Sequence, residues 1–429
     1  MKSGWALVFA AASLLAFSGC SNSNNASTGS GIVWVATSGD QTINTYNINS
    51  TTGAGSRVGN GVPSGVQPSA MVITPDRTLL FVANIDAPDA ACDPTKTIAN
   101  PLCNEVRAFT VNSDGTLKAL GNPLPVGQPS TTQQGMQMGL AVDPTGKLLF
   151  VTHQGNAGAL GQTTTVPGSI SVLPISSSGL SSTFSSFPSS IAGDAIGNGP
   201  VAIAVAPVGN FVYVADQFTN MVAAYSYDPT TGALTMPAIA TYSTGANPAG
   251  LAFSRCAGGK VLNSNCTGPD GDTLFVANSG LSNSVSVFSA CIEVTPTCSS
   301  PTGRLQETST SPVSTSGIGP SSIIVSPVLD FVYAVNTQSN SLSQFKYGPA
   351  NGALTALSPP SVSTGAGPVS GGITSDGALV IVPDSGGSEL AVFKAGDGTS
   401  TGATPTGVLT RATSPSITLA GQPTAIVVR

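Results

Sequence analysis

The chain has 429 residues, of which only 8% are charged and 40% are hydrophobic, and its net charge is −6. That balance offers no basic footprint for a nucleic acid, and the apolar residues fall in periodic runs that disordered chains lack. Scarce charge together with abundant Gly, Ser, Thr and Pro predicts an all-β protein working outside the cytoplasm.

Residues 1–19 read as a targeting segment. Lys2 supplies the positive start, and Trp5 to Phe17 form an apolar stretch too short to span a bilayer as a mature helix. The segment ends Phe17-Ser18-Gly19-Cys20, which resembles a bacterial lipobox with Phe where Leu is more usual. The resemblance implies cleavage before Cys20, acylation of that cysteine and a lipid anchor in the membrane of the cell envelope, on its periplasmic or outer face. An ordinary signal peptide cut near Gly19 is the alternative. Residues 20–31 then form a flexible tether, and 32–429 are left for a folded domain.

Along that domain one unit recurs seven times. Its most regular element reads Ile32-Val-Trp-Val-Ala-Thr37, Leu79-Leu-Phe-Val-Ala-Asn84, Leu148-Leu-Phe-Val-Thr-His153, Phe211-Val-Tyr-Val-Ala-Asp216, Thr273-Leu-Phe-Val-Ala-Asn278, Phe331-Val-Tyr-Ala-Val-Asn336 and Leu379-Val-Ile-Val-Pro-Asp384. Before it stands a strand opened by proline, as at Pro68, Pro200 and Pro320, and a tight turn such as Asp143-Pro-Thr-Gly146 joins the two. After it comes a third strand alternating toward an aromatic residue, as in Val222-Ala-Ala-Tyr225 or Val285-Ser-Val-Phe288. A hairpin signal such as Asn112-Ser-Asp-Gly115 or Thr230-Thr-Gly232 leads to a polar fourth strand. The first unit lacks its opening strand, and Gln422-Pro-Thr-Ala-Ile-Val-Val-Arg429 supplies one at the other end of the chain. The spacing therefore predicts a seven-bladed β-propeller of four-stranded blades, closed by the C-terminal strand completing the N-terminal blade.

These units, with their Pro-x-Gly turns and Gly-x-Leu-Thr hairpins, resemble the YVTN-repeat and lactonase-like seven-bladed propellers of the 6-phosphogluconolactonase-like superfamily. The resemblance covers nearly all of 32–429. It implies the fold directly; for activity it implies either a lactone-opening or muconate-cyclising enzyme or a surface protein with no reaction of its own.

Setting Cys20 aside leaves six cysteines, each with one near neighbour in sequence and each pair bracketing an extra loop. The expected disulfides are Cys92–Cys103, Cys256–Cys266 and Cys291–Cys298. Metal binding by these cysteines is disfavoured, because no pair has the Cys-x-x-Cys spacing and the chain has a single His.

Three insertions crowd one sector of the ring: 85–104 and 154–168, which join second to third strands in adjacent units, and 130–138 between those units. Rigid scaffolds carry binding sites on such loops, so this sector is the candidate site, with lineage-specific decoration as the alternative. The candidate catalytic residues are His153, Asp86, Asp89, Glu105 and Arg107, with Asp93 and Lys96 nearby. His153 would act as a base near neutral pH and Arg107 would meet a developing oxyanion. The polar residues ending the second strands (Thr37, Asn84, His153, Asp216, Asn278, Asn336 and Asp384) are read mainly as turn-shaping groups. Six-bladed gluconolactonases hold a divalent cation in the channel, but the channel-lining first strands here are poor in carboxylates. No metal and no cofactor is expected. The leading functional expectation is a monomeric, lipid-anchored binding scaffold for a protein or glycan partner; the alternative is a lactonase-like hydrolase.

Overall fold

A computed structural model describes residues 30–88, 102–130, 137–155, 168–188, 199–254, 272–294, 298–348, 351–396, 406–413 and 416–429. Every regular element among them is a β-strand. The strands fall into seven separate antiparallel sheets, which are the seven blades.

Blade 1 holds Ser30–Thr37, Thr42–Asn49 and Gly55–Pro63, and its innermost strand is Pro423–Val428 from the other end of the chain. The closing register pairs Val33 with Val428 and Val35 with Ile426, as expected from the unmatched first unit. Blades 2 to 7 open with Pro68–Ile73, Met138–Val142, Pro200–Val205, Pro248–Phe253, Pro320–Val325 and Gly372–Ile373. Closure leaves no first or last sheet edge inside the ring.

The burial gradient explains why the repeat was easy to see. Second strands are sandwiched between neighbouring blades, so Leu148–His153 and Phe331–Asn336 are buried at every residue and read as apolar runs. Fourth strands form the outer edge and are largely exposed, as in Leu354–Ser363. They are also irregular in two further blades, in line with the variable fourth strand of the sequence units. In blade 5 the outer edge is split into Leu305–Glu307 and Val313–Ser314, and in blade 7 into Leu409–Arg411 and Ile417–Thr418. An edge strand tolerates such breaks, because one side of its ladder is unpaired and proline such as Pro312 costs no hydrogen bond there.

Adjacent blades are joined by aromatic contacts near the hairpins. Tyr333 of blade 6 donates its hydroxyl to the Gly407 carbonyl of blade 7 at 2.7 Å, Tyr213 of blade 4 donates its own to the Gly303 carbonyl of blade 5 at 2.9 Å, and the Trp34 indole N–H of blade 1 donates to the Gly115 carbonyl of blade 2 at 2.7 Å. At Phe150 and Phe275, which stand at the same position in blades 3 and 5, an aromatic ring from the next blade replaces that bond. Phe150 meets Tyr227 edge-on at 5.0 Å and Phe275 meets Tyr347 at 5.6 Å. Gly115 has φ +86°, and a Cβ there would lie 2.8 Å from Ile32, so this hairpin position needs glycine on both counts.

Cys291 and Cys298 are disulfide-bonded, with Cα atoms 5.4 Å apart, in the third-to-fourth-strand connection of blade 5. The other two expected pairs, Cys92–Cys103 and Cys256–Cys266, lie outside the described side chains.

Candidate functional site

The upper rim of the ring carries the turns from second to third strands and the links from one blade to the next. The polar residues ending the second strands sit just beneath it, and all seven are buried. Each faces the preceding blade, where the incoming link passes. Asn84 donates to the Ser64 carbonyl at 2.8 Å, while Asp216 and Asp384 accept the N–H groups of Gly199 and Gly365, each at 3.0 Å. Asn278 and Asn336 instead donate to paired serines of the third strand, Ser284 with Ser286 and Ser341 with Ser343. These residues therefore hold links and strands in place, much as turn-shaping groups should.

A second clamp works from the turns themselves. Asn220, Asn283 and Asn340 adopt positive φ, and their side-chain oxygens accept the N–H of Asn247, Gly319 and Gly367 in the link that leaves the same blade. Asn tolerates this left-handed conformation better than most residues, which accounts for its recurrence in blades 4, 5 and 6; Gln41 and Ser388 adopt the same conformation in blades 1 and 7. In blades 2 and 3 the long insertions stand where the other blades have this turn.

The five sequence candidates do not form one cluster. Glu105 and Arg107 lie on the face of blade 2 that looks toward blade 1. The Arg107 Nε donates to Glu105 Oε1 at 2.6 Å, and Asn84 donates to the same oxygen at 3.2 Å. Glu105 is 2% exposed in its side chain and Arg107 29%, so a buried carboxylate steadies a guanidinium that still reaches solvent. Side-chain positions of Asp86, Asp89, Asp93 and Lys96 lie outside the described residues.

His153 belongs to a different surface. Along its strand it continues the series Leu149 and Val151, which pack against Phe81, Ala83, Val106 and Ala108 of blade 2. Its ring is buried, Nε2 lies 3.1 Å from Ser171 Oγ, and Nδ1 has no protein partner. Burial holds its pKa down at about 4, so the ring is uncharged near neutral pH and is a weak proton acceptor. No carboxylate contacts it among the described residues.

Asn104 was not among the sequence candidates. It is 1% exposed, and neither its amide nitrogen nor its amide oxygen finds a hydrogen-bond partner. The available signal was parity: Asn104 shares a strand face with Val106 and Ala108, so it had to point into the same interface as His153.

Asp384 is the other strand-end residue whose proton affinity is strongly shifted. Burial pushes its carboxyl up to about 7, and neighbouring Glu389 adds to this, against the opposing pull of the Gly365 N–H and Arg411. Glu389 is itself paired with Arg411 at 3.3 Å.

Among the described residues no group of three or more His, Cys, Asp or Glu side chains is placed to hold a metal ion. No helix of the described residues is long and apolar enough to cross a membrane.

Solved structures share this architecture. A candidate 6-phosphogluconolactonase from Bacteroides fragilis superposes with a TM-score of 0.68 at 19% identity, covering 95% of this chain and 100% of that one. A second candidate 6-phosphogluconolactonase, from Bacteroides uniformis, gives a TM-score of 0.66 at 17% identity, covering 94% and 100%. The periplasmic gluconolactonase PpgL of Pseudomonas aeruginosa gives 0.63 at 18% identity, covering 93% and 98%. These likenesses are of fold. No match was found among curated proteins. The family model described as Lactonase, 7-bladed beta-propeller, matches residues 32–407, and the chain belongs to that family.

Proposed function

We propose that this protein is a lactone hydrolase that works in the upper-rim sector of blades 2 and 3. The observation that carries the reading is the family match across 32–407. It moves the weight away from the binding scaffold expected first from sequence and onto the hydrolase kept as its alternative.

In such a reaction water attacks the ring carbonyl carbon, the ring C–O bond breaks, and the water proton ends on the released hydroxyl or in solvent. The barrier falls when a fixed donor meets the oxyanion that forms on the carbonyl oxygen. Arg107 is the group suited to that role, because Glu105, itself held by Asn84, fixes it from one side while part of its guanidinium remains exposed. Glu105 acts through Arg107 as a positioning residue. Asp86 and Asp89 are the sequence candidates for activating water; His153, on the far side of the blade 2 sheet from Arg107, takes no part in this step.

A panel of neutral and acidic lactones, followed by pH-stat titration of the acid released, tests this. Arg107→Gln should cut turnover by about 100-fold, the usual scale for loss of one oxyanion donor, whereas Glu105→Gln should fall between Arg107→Gln and the parent. Absence of hydrolysis across the panel by the folded mature protein would remove the reading.

The binding scaffold is the reading that absence of hydrolysis would leave. With it goes the proposal that Cys20 is lipidated and fixes the protein to the cell envelope. Mass spectrometry of the mature N-terminus, compared with Cys20→Ala, tests the anchor; an unmodified N-terminus would exclude it.

A further inference from the structure

Two buried polar groups of unlike origin converge at the upper end of the interface between blades 2 and 3. Below them the interface is apolar, built from Phe81, Ala83, Val106 and Ala108 on one side and Leu149, Val151 and Leu173 on the other. One step further up, the blade 2 face continues with Asn104 and the blade 3 face with His153, whose ring reaches back to Ser171 beside Val151, while Ile85, Val126 and Met138 flank the same end. Asn104 is 1% exposed and lacks a partner for both amide atoms; His153 is 4% exposed and lacks one for Nδ1.

Buried amides and imidazoles are almost always hydrogen-bonded, because leaving them bare forfeits their hydration without return. The other strand-end residues discharge their donors within the ring, onto link carbonyls or third-strand serines. Only in this interface do an amide donor, an amide acceptor and an imidazole nitrogen remain together among the described residues. No charged group acts on His153, whose low pKa has burial as its single cause.

We infer that the upper end of the blade 2–blade 3 interface is a binding recess for a small uncharged polyhydroxylated ligand, with Asn104 and His153 as its side-chain contacts. A hydroxyl both donates and accepts, so one such group satisfies Asn104 and a neighbouring one satisfies His153 Nδ1. Fully charged ligands are disfavoured, since nothing in the recess would compensate their desolvation. The inference concerns binding and does not depend on the hydrolase reading.

His153 is the only histidine in the chain, so its ring nitrogens report on the recess without assignment ambiguity. The experiment is a titration of the protein with D-glucose, D-xylose and glycerol, followed by ¹⁵N NMR of the imidazole, with gluconate as a charged comparator. A saturable shift of the Nδ1 resonance with at least one neutral polyol is expected. Asn104→Leu should weaken that binding by about tenfold or more while thermal unfolding stays cooperative. If Asn104→Leu does not fold, Asn104→Ser serves instead and should give an intermediate loss. An Nδ1 resonance untouched by all three polyols, an Asn104 variant that binds like the parent, or equal binding of gluconate would each overturn the inference. In the first of these cases only water satisfies the buried groups.

Discussion

His153 and Asp384 occupy equivalent positions in blades 3 and 7, yet burial moves their proton affinities in opposite directions. The His153 pKa falls from 6.5 to about 4, and the Asp384 pKa rises from 3.8 to about 7. Between pH 6.5 and 4 the unfolded chain protonates its histidine while the folded chain does not. Acid therefore destabilises the fold through His153 across that window. Between pH 3.8 and 7 the folded chain keeps the Asp384 proton that the unfolded chain has lost, so rising pH destabilises the fold through Asp384. Each pH unit over which one state holds a proton and the other does not is worth about 1.4 kcal/mol. The full effects are then about 3 kcal/mol for His153 and about 4 kcal/mol for Asp384, and their slopes nearly cancel from pH 4.5 to 6.5. The Asp40 and Asp76 pKa values are lowered below 3.8, so their contributions are lost only in more acid solution; burial raises the Glu293 carboxyl, which adds a loss with rising pH that parent and variants share.

The perturbation is to give each position the residue that its sister blades carry at Asn84, Asn278 and Asn336. Urea unfolding at fixed pH should show a nearly flat stability profile for the parent between pH 4.5 and 6.5. His153→Asn should lose stability as pH rises, and Asp384→Asn should lose it as pH falls, each by about 2 to 3 kcal/mol over the window. The double variant should be flat again. Parallel profiles for the parent and either single variant would refute the assignment of opposite shifts at that site.

Two further outcomes test how the ring is held. Deleting residues 423–429 removes a strand whose Ala425, Ile426, Val427 and Val428 are buried. At about 1.5–3 kcal/mol for each large side chain, the loss rivals the whole stability of an ordinary domain, so the deletion should abolish cooperative melting; a melt matching the parent would show that the ring does not need its clasp. Tyr333→Phe keeps the ring but strands the Gly407 carbonyl, and calorimetry should register a cost of about 1 kcal/mol.

The ring was legible because its inner strands are buried on both faces. That makes Leu79–Asn84 or Thr273–Asn278 apolar whichever side each residue takes, so the copies stand out whatever their orientation. The same feature hid the candidate site. When every residue of a strand is buried, composition does not say which neighbour a side chain meets, and Glu105 and Asn104, adjacent in sequence, belong to different interfaces. Grouping His153 with Glu105 and Arg107 followed from proximity along the upper rim; the sheet between them separates the two. The inter-blade hydrogen bonds of Trp34, Tyr213 and Tyr333 were hidden for a related reason, since their acceptors lie 81, 90 and 74 residues further along the chain.

A ring of repeats gains function where it gives up a repeated clamp. Blades 4, 5 and 6 close their upper rim with a short turn ending in Asn220, Asn283 or Asn340, which fastens the departing link. Blade 3 has residues 154–168 in that place, directly after His153. Replacing 154–168 by the turn Thr337-Gln-Ser-Asn340 of blade 6, together with His153→Asn, would convert the blade to the clamped form. Shortening the connection from about fifteen residues to four lowers the loop-closure cost by about 1 kcal/mol, and the buried imidazole is gone, so the graft should melt higher than the parent. Polyol binding at Asn104 should disappear, because its facing partner and the open rim go together. A graft that is stabilised yet still binds would mean that the recess is closed by blade 2 alone; one that unfolds would mean that the insertion carries structural weight of its own.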